Sequence, residues 1–164
     1  MTFTRQIIHI NEETYEAVRT EKGYVYFGKE AAHEEWVKFF PQAVLHEGNE
    51  INSKIELQLQ RYFAGEAIAF DLPFDFVGTP FQQAIWQALT EIPYGQTISY
   101  SGLAQKIGRP EATRAVANAV GRNPLMILVP CHRVLGKNGR LTGYRGGLPT
   151  KQRLLTLEGI AYKM

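Results

Sequence analysis

The sequence predicts an α+β fold divided into two domains, residues 1–77 and residues 78–164. Strand-like alternation and a hairpin turn are confined to the first range, whereas capped amphipathic helices dominate the second. The charge also changes sign: residues 1–77 carry 7 Lys and Arg against 13 Asp and Glu, and residues 78–164 carry 11 against 3. We therefore expect a small N-terminal α/β domain followed by a mainly helical domain with a polyanionic partner, although a solvated basic surface gives the same charge.

The composition excludes several classes of protein. With 45% hydrophobic and 21% charged residues, the chain resembles ordinary globular proteins. No apolar run approaches the ~20 residues of a membrane helix, and the first residues lack the apolar core of a signal peptide. The single Cys and scattered His residues offer no metal-ligand set. We expect a cytoplasmic protein without a metal and without membrane contact.

The first domain begins with three predicted strands, over residues 6–10, 15–19 and 24–27. A turn over residues 20–23, with Gly23 at its end, joins the second strand to the third.

A helix and a further strand follow in the first domain. Apolar residues recur at helical spacing over residues 50–63, namely at Ile51, Ile55, Leu59 and Tyr62. Aromatic and apolar residues then alternate with polar residues and Pro73 over residues 70–76, which predicts a half-buried edge strand.

The second domain opens on a helix with clear start signals. Thr79 suits the N-cap and Pro80 the first helical position. The predicted buried face consists of apolar residues at helical spacing: Phe81, Ala84, Ile85, Ala88, Leu89 and Ile92.

Two short helices come next and have the outline of a helix-turn-helix. Ser99 is the N-cap of the first, Gly108 ends it, and the second is predicted over residues 111–120. The outline alone also fits any pair of antiparallel helices. The exposed face of the second helix is small and carries Arg114 as its single cation, which favours the minor groove of DNA, where small residues and Arg are accommodated.

The only cysteine follows a buried segment. Residues 127–129 are predicted to form a short strand or extended segment, which Pro130 ends. Cys131 is then followed by His132 and Arg133, and nearby cations favour the nucleophilic thiolate. The alternative is an inert Cys packed as a small hydrophobe, and the residues by themselves leave both open.

The C-terminal region adds a Gly-rich segment and a last helix. Residues 142–147 lack the Gly-Lys-Ser/Thr of a phosphate loop and are expected to form a pocket wall. The helix is predicted to start near Thr150 and end at Glu158-Gly159, where the Glu158 carboxylate opposes the helix dipole by ~0.3–1 kcal/mol. Either Glu158 serves a partner, or it is an exposed carboxylate that tolerates this cost.

Together these residues resemble a known family. The match runs from about Phe81 to Gly159, and the Pro-Cys-His-Arg-Val of residues 130–134 resembles the signature of the O6-alkylguanine-DNA alkyltransferases (methylated-DNA–protein-cysteine methyltransferases). Further matching segments are Ile-Ser-Tyr at 98–100, Arg-Ala-Val at 114–116, Asn-Pro at 123–124, Tyr-Arg-Gly-Gly at 144–147 and Leu-Glu-Gly at 157–159.

The resemblance implies a fold and an activity. The N-terminal domain would be ribonuclease H-like, and the second domain would be a winged-helix-like helix-turn-helix. The protein would act as a monomer without a cofactor on double-stranded DNA containing O6-alkylguanine, with O4-alkylthymine as a further substrate. Each molecule would repair one lesion, because the thioether formed is stable.

The same resemblance implies catalytic roles. Cys131 would accept the alkyl group, and His132 and Glu158 would join it in a hydrogen-bonded network, through a water, that holds an imidazolium beside a thiolate. Tyr100 would donate a hydrogen bond to the leaving base, and Asn123 would tie the turn before the Cys segment.

Binding roles also follow from the resemblance. The base pocket would be formed by Val134, Tyr144, Arg145, Gly146 and Lys151. The damaged nucleotide would be flipped out of the duplex, with Arg114 filling the vacated place in the stack. Contacts to the minor groove and phosphates would come from Thr113, Ala115, Ala117, Asn118 and Arg122. Some members carry Ser where this chain has Arg145, so the sequence leaves the pocket width open.

Two other functions compete with this hypothesis. A Cys-His hydrolase would use the same two side chains, but neighbours in an extended segment point apart, which argues against a simple dyad of Cys131 and His132. A helix-turn-helix regulator would bind a fixed DNA sequence and would not need Cys131.

Overall fold

A computed structural model describes residues 2–48 and 53–164 of the chain. It divides into two compact units, Met1–Val77 and Gly78–Met164. Both contain helices and strands, which confirms the predicted α+β class. Within the described ranges, no helix is long and apolar enough to cross a membrane.

The first unit is built on a four-stranded sheet. Its strands are β1 (Phe3–Ile10), β2 (Glu13–Arg19), β3 (Tyr24–Lys29) and β4 (Leu45–Glu47). The order is β3-β2-β1-β4, with β4 parallel to β1 and the other pairs antiparallel. The three predicted strands are confirmed and each is longer than predicted. The sequence did not indicate β4, which is too short to show a periodic pattern.

One helix of this unit was not predicted. A 3₁₀ turn over Glu30–Ala32 leads into α1 (Glu34–Phe39). Trp36 of α1 is buried, and its ring lies 5.5 Å from the rings of both Phe3 and Tyr26. With six residues, α1 is shorter than two turns, so the sequence showed only a group of aromatic residues there.

The second helix of the unit, α2 (Ser53–Phe63), confirms the predicted helix over the part that the structure describes. Ile55, Leu59 and Tyr62 are buried, as their spacing indicated. The predicted first residues, 50–52, including Ile51, lie outside the described ranges.

The predicted edge strand over residues 70–76 is wrong. This segment makes a single bridge to β3, in which Tyr24 N donates to Pro73 O at 2.9 Å and Asp75 N donates to Tyr24 O at 2.9 Å. Pro73 has no N–H to extend the pairing. The two backbone segments come so close that a Cβ on Gly23 would lie 2.6 Å from Pro73 O, so only glycine fits there.

The second unit begins with α3 (Pro80–Leu89), which confirms the predicted start. Thr79 and Gln82 form a capping box, in which each side chain bonds the backbone N–H of the other. Three assignments to its faces need correction: Phe81 is only half-buried, Ala84 is exposed, and Trp86 is buried and donates from Nε1 to Ala119 O at 3.0 Å. Successive helical residues are rotated by about 100°, and the wide indole ring extends the buried stripe to Trp86.

The two predicted short helices are confirmed as α4 (Tyr100–Lys106) and α5 (Thr113–Gly121). The Ser99 side chain caps α4 by accepting from Gly102 N at 3.0 Å. Helix α5 begins two residues later than predicted, because Ala112 N bonds Arg109 O in the preceding turn.

The remaining elements surround the segment that carries Cys131. Strands β5 (Ile98–Ser99) and β6 (Val134–Leu135) form a short parallel pair. Two 3₁₀ turns cover Cys131–Arg133 and Lys137–Gly139. Helix α6 (Leu148–Leu157) starts slightly before the predicted Thr150 and ends one residue before Glu158, which is its C-cap.

We expect Thr79→Ala to lower the free energy of unfolding by about 1 kcal/mol, because it removes the side-chain cap of α3. Thr79→Ser is the matched control and should keep nearly all of the stability, since its hydroxyl can accept the same bond. Urea denaturation of the three proteins measures the difference. Equal losses for both variants would contradict a capping role.

Candidate active site

Cys131 is reached through two tight turns and not through the predicted strand. Residues 127–129 are buried, but Leu128 N bonds the carbonyl two residues before it, with Ile127 at a φ of 71° between them. Cys131 N makes the same kind of bond around Pro130, whose φ of −80° and ψ of 64° are those of an inverse γ-turn. A β-branched residue at positive φ costs about 1–3 kcal/mol, so the surrounding packing must hold this path firmly.

Asn123 ties this loop together from inside. Its Nδ2 donates to Val129 O at 2.9 Å and to Leu125 O at 3.4 Å, and its Oδ1 accepts from Leu125 N at 2.9 Å. The side chain is buried, and its amide acts to lower the pKa of the Cys131 thiol. One amide therefore joins the end of α5 to the turns that precede the sulfur.

A buried carboxylate is the centre of the polar network next to Cys131. Glu158 Oε2 lies 2.6 Å from His132 Nε2 and 3.1 Å from Arg133 Nη2. Its Oε1 accepts from Arg133 Nε at 2.8 Å and from Gly95 N at 3.0 Å. Burial by itself raises the pKa of Glu158, but the bonds from His132 and Arg133 outweigh it and lower the pKa to about 2. These bonds account for a carboxylate at a helix C-terminus.

Arg133 is a member of this network that the sequence did not identify. Its Nη1 donates to Ile92 O at 2.7 Å, and its guanidinium lies 5.7 Å from the centre of the Tyr94 ring. The signal was available, because a buried guanidinium needs a carboxylate partner and the carboxylate of Glu158 was the one that looked misplaced.

The resting protonation of Cys131 differs from the thiolate expected from sequence. Burial raises the pKa of the Cys131 thiol, against the opposing effects of the Asn123 hydrogen bond and the charges of Arg145 and Lys151. The neutral thiol is therefore favoured in the unliganded protein.

His132 is also favoured in its neutral form, and not as the expected imidazolium. Burial lowers the pKa of His132 more than the bond to Glu158 raises it, and the charges of Arg133 and Lys151 lower it further. An ionised carboxylate only accepts hydrogen bonds, so Nε2 carries the hydrogen in the bond to Glu158. The other ring nitrogen, Nδ1, is then the one able to take a proton. Residues Cys131–Arg133 form a 3₁₀ turn and not an extended segment. The sequence argument against a simple dyad of Cys131 and His132, that neighbours in an extended segment point apart, therefore does not apply.

Cys131 opens into a cavity of about 270 Å³. Its lining comes from the start of α4, the end of α5 and the Gly-rich segment, and consists of Tyr100, Ala117, Val120, Gly121, Cys131, Gly143, Tyr144 and Arg145. The volume lies just below the ~300–1,000 Å³ of pockets for drug-sized ligands, which suits a single planar base.

The sequence-predicted pocket residues divide into lining and supporting groups. Tyr144 and Arg145 line the cavity, and Arg145 Nη2 donates to Pro124 O at 3.3 Å. Gly146 supports the wall, since a Cβ there would lie 2.7 Å from Met126 Sδ and 3.0 Å from the Tyr144 ring.

Lys151 and Val134 are buried behind the cavity. Lys151 Nζ donates to Val134 O at 2.9 Å and to Thr142 Oγ1 at 3.3 Å, and Thr142 Oγ1 lies 2.8 Å from the Tyr100 hydroxyl. Burial lowers the pKa of Lys151 to about 8, while the neighbouring Cys131 acts in the opposite direction. The sequence placed Thr142 in the Gly-rich segment but indicated no role for its hydroxyl.

The exposed face of α5 carries the residues expected to contact DNA. Arg114, Ala115 and Asn118 are exposed and line a shallow concavity. Arg122 is also exposed and bonds Asn118 Oδ1 at 3.4 Å, whereas Thr113 and Ala117 are half-buried. Ala117 lines the cavity of Cys131 and follows Arg114 by three residues, so Arg114 lies one helical turn from the cavity, on the neighbouring surface.

The chain is similar to known proteins over most of its length. Residues 80–160 match the model of the family described as 6-O-methylguanine DNA methyltransferase, DNA binding domain. The inducible methylated-DNA–protein-cysteine methyltransferase of Bacillus subtilis is 47% identical over 144 residues, covering 85% of this chain and 80% of the relative.

Solved structures from Mycobacterium tuberculosis are also similar. A variant of the protein OGT from that organism superposes with a TM-score of 0.82 at 39% identity, covering 96% of this chain and 93% of that one. OGT in complex with DNA gives a TM-score of 0.79 at 37% identity, covering 96% and 92%.

We expect the stabilising effect of Glu158 to disappear in acid. Its pKa is lowered from 4.5 to about 2 by folding, so the stability it contributes is present above about pH 4.5 and is lost as the pH falls through about 2. Glu158→Gln should cost about 3–5 kcal/mol at neutral pH, because it leaves the buried Arg133 without its counter-charge.

Denaturation of wild type and Glu158→Gln between pH 7 and pH 2 measures this effect. The two free energies of unfolding should converge toward the acid end, while the exposed control Glu111→Gln should stay close to wild type throughout. A difference that does not change with pH would show that the carboxylate charge is unimportant.

Proposed function

Because this chain belongs to the family of methylated-DNA–protein-cysteine methyltransferases, we propose that it repairs DNA by moving the alkyl group of O6-alkylguanine onto Cys131. The observation that carries the proposal is the buried sulfur in a base-sized cavity, next to the paired side chains of His132 and Glu158. Each molecule acts once, because a thioether is not hydrolysed under mild conditions.

The transfer begins with loss of the thiol proton. In the neutral resting state, His132 Nδ1 is the acceptor, through a water, and the bond from Nε2 to Glu158 holds the ring and stabilises the imidazolium that forms. The charges of Arg145 and Lys151 favour the thiolate at that moment. The sulfur then attacks the alkyl carbon in line with the C–O6 bond, and Tyr100 donates a hydrogen bond to the departing base.

The remaining pocket residues position the base. Tyr144 and Arg145 form one wall, Gly146 keeps that wall in place, and the buried Lys151 bonds Val134 O and so supports the strand next to the sulfur. Asn123 holds the path of the chain into Cys131. We extend the substrate range to O4-alkylthymine, which presents the same kind of alkylated oxygen.

The damaged nucleotide is flipped out of the duplex in our proposal, since an atom inside a base stack cannot reach a buried sulfur. Arg114 fills the vacated place in the stack, and Thr113, Ala115, Ala117, Asn118 and Arg122 contact the minor groove and its phosphates. This assignment is supported by the small, exposed face of α5 beside the cavity and by the relative solved with DNA.

At the level of the fold, we propose that the first unit is ribonuclease H-like and that the second is a winged-helix-like helix-turn-helix. The sheet order β3-β2-β1-β4 supports the former, and the α4–α5 pair beside the small β5–β6 sheet supports the latter. We further propose that the protein acts as a monomer in the cytoplasm.

The acceptor role is tested by intact mass after mixing the protein with duplex DNA containing O6-methylguanine. Wild type should gain the mass of one CH₂ unit on the peptide that contains Cys131, in proportion to the lesion added. Cys131→Ala should gain nothing while still binding DNA. If stoichiometric lesion produces no mass shift in wild type, the transferase proposal fails, and tight binding to one fixed sequence would favour a regulator instead.

The flipping role of Arg114 has a separate test. Arg114→Ala should slow single-turnover transfer from duplex DNA by about 10-fold or more, because the vacated stack is no longer filled. Reaction with the free base O6-benzylguanine, which needs no flipping, should keep its wild-type rate. Arg153→Ala, which removes another exposed Arg, is the matched control. Equal slowing on both substrates would contradict the role in flipping.

A further inference from the structure

We propose that Thr142 is a positioning residue that orients the Tyr100 hydroxyl, so that Tyr100 donates its proton into the Cys131 cavity as the alkylated base departs. The inference rests on the proposed transfer reaction and adds a residue to it. Thr142 lies behind the cavity lining and acts through Tyr100 and Lys151.

The three side chains form a continuous hydrogen-bonded chain. Lys151 Nζ lies 3.3 Å from Thr142 Oγ1, and Thr142 Oγ1 lies 2.8 Å from the Tyr100 hydroxyl. Tyr100 then lines the cavity together with Cys131. Lys151 is buried and its other bond, to Val134 O at 2.9 Å, fixes the ammonium at the start of the chain.

The donors and acceptors of these groups give the chain a direction. An ammonium only donates, so Thr142 Oγ1 accepts from Lys151. A hydroxyl has one hydrogen, and the Thr142 hydroxyl can donate its hydrogen to the Tyr100 oxygen. The Tyr100 oxygen then accepts a hydrogen bond from the side away from the cavity. The hydrogen of Tyr100 is thereby left to point into the cavity. If Tyr100 donated to Thr142 instead, its hydrogen would be turned away from the base.

The position of the Thr142 hydroxyl is itself fixed by packing. A Cβ on Gly136 would lie 2.9 Å from Thr142 Cγ2, so the methyl group occupies the space that a side chain at residue 136 would need. With the methyl on that side, the hydroxyl is directed to Tyr100 and Lys151. A β-branched residue has few χ1 rotamers, which makes Thr more suitable than Ser for holding one orientation.

The hydrogen-bonded side chains of Lys151, Thr142 and Tyr100 also supply the proton that the reaction requires. As the S–C bond forms and the C–O6 bond breaks, the bonding pair stays on the guanine, which takes a proton on a ring nitrogen from Tyr100. Tyr100 recovers one from Thr142, and Thr142 recovers one from Lys151, which ends as a neutral amine. The lowered Lys151 pKa, about 8, makes this last transfer accessible near neutral pH.

The test compares Thr142→Val, which keeps the shape of the side chain and removes the hydroxyl, with Thr142→Ser, which keeps the hydroxyl. The first variant should transfer the methyl group from O6-methylguanine DNA about 10-fold or more slowly in single turnover, and Ser should restore most of the rate. Thr156→Val, an exposed position on α6, is the matched control and should react as wild type.

A second electrophile, methyl iodide, distinguishes an effect on the leaving group from an effect on the reactivity of the Cys131 sulfur. Methyl iodide delivers the same methyl group, but iodide leaves without a proton, so Thr142→Val should methylate Cys131 from methyl iodide at the wild-type rate. In a Tyr100→Phe background, which lacks the donor, Thr142→Val should cause no further slowing. Gly136→Ala, which displaces Thr142, should reproduce the selective loss if Thr142→Val folds poorly.

The inference is overturned if Thr142→Val reacts with the DNA substrate as fast as wild type, if it is slowed equally with methyl iodide, or if its effect adds fully to that of Tyr100→Phe. These outcomes are distinct from failure of the proposed function. If the proposed function fails, wild type itself does not transfer the methyl group from DNA, and this inference fails with it.

Discussion

The candidate active site depends on one buried carboxylate. Glu158 joins the end of α6 to the 3₁₀ turn of Cys131 through His132 and Arg133, and to the turn after α3 through Gly95. Each oxygen is satisfied by charged or backbone donors, which is the condition under which a buried charge is tolerated. Loss of this one group would leave a guanidinium buried without its counter-charge and would release the ring of His132.

Arg133 weakens the stabilisation that Glu158 can give to a protonated His132. A carboxylate already neutralised by a guanidinium stabilises an imidazolium less than a lone carboxylate does, and the pKa of His132 is accordingly lowered by burial and by the charge of Arg133. Burial likewise keeps Cys131 in the thiol form. Because the thiolate is the reactive species, a resting thiol slows reaction with adventitious electrophiles.

The sequence predicted the elements that are stabilised locally and missed the short elements that are stabilised by tertiary contacts. Helices α3 and α4 were predicted because Thr79 and Ser99 are caps that act on their own first turns, a local effect. By contrast, α1 and β4 are short and are stabilised by packing of Trp36 and by pairing with β1. The wrong edge strand over residues 70–76 shows the same limit, since its alternation was correct but its hydrogen bonds depended on a neighbour and on Pro73.

The sequence by itself determined the α+β class, the acceptor candidate Cys131 and the family resemblance, because the Pro-Cys-His-Arg-Val segment is local and specific. Only the tertiary structure decided which charges meet. Arg133 and Glu158 are 25 residues apart, and Tyr100 and Thr142 are 42 apart, so no spacing along the chain indicates either contact. Protonation followed the same division, since the pKa values of a thiol and an imidazole are set by burial and by charges brought together in space.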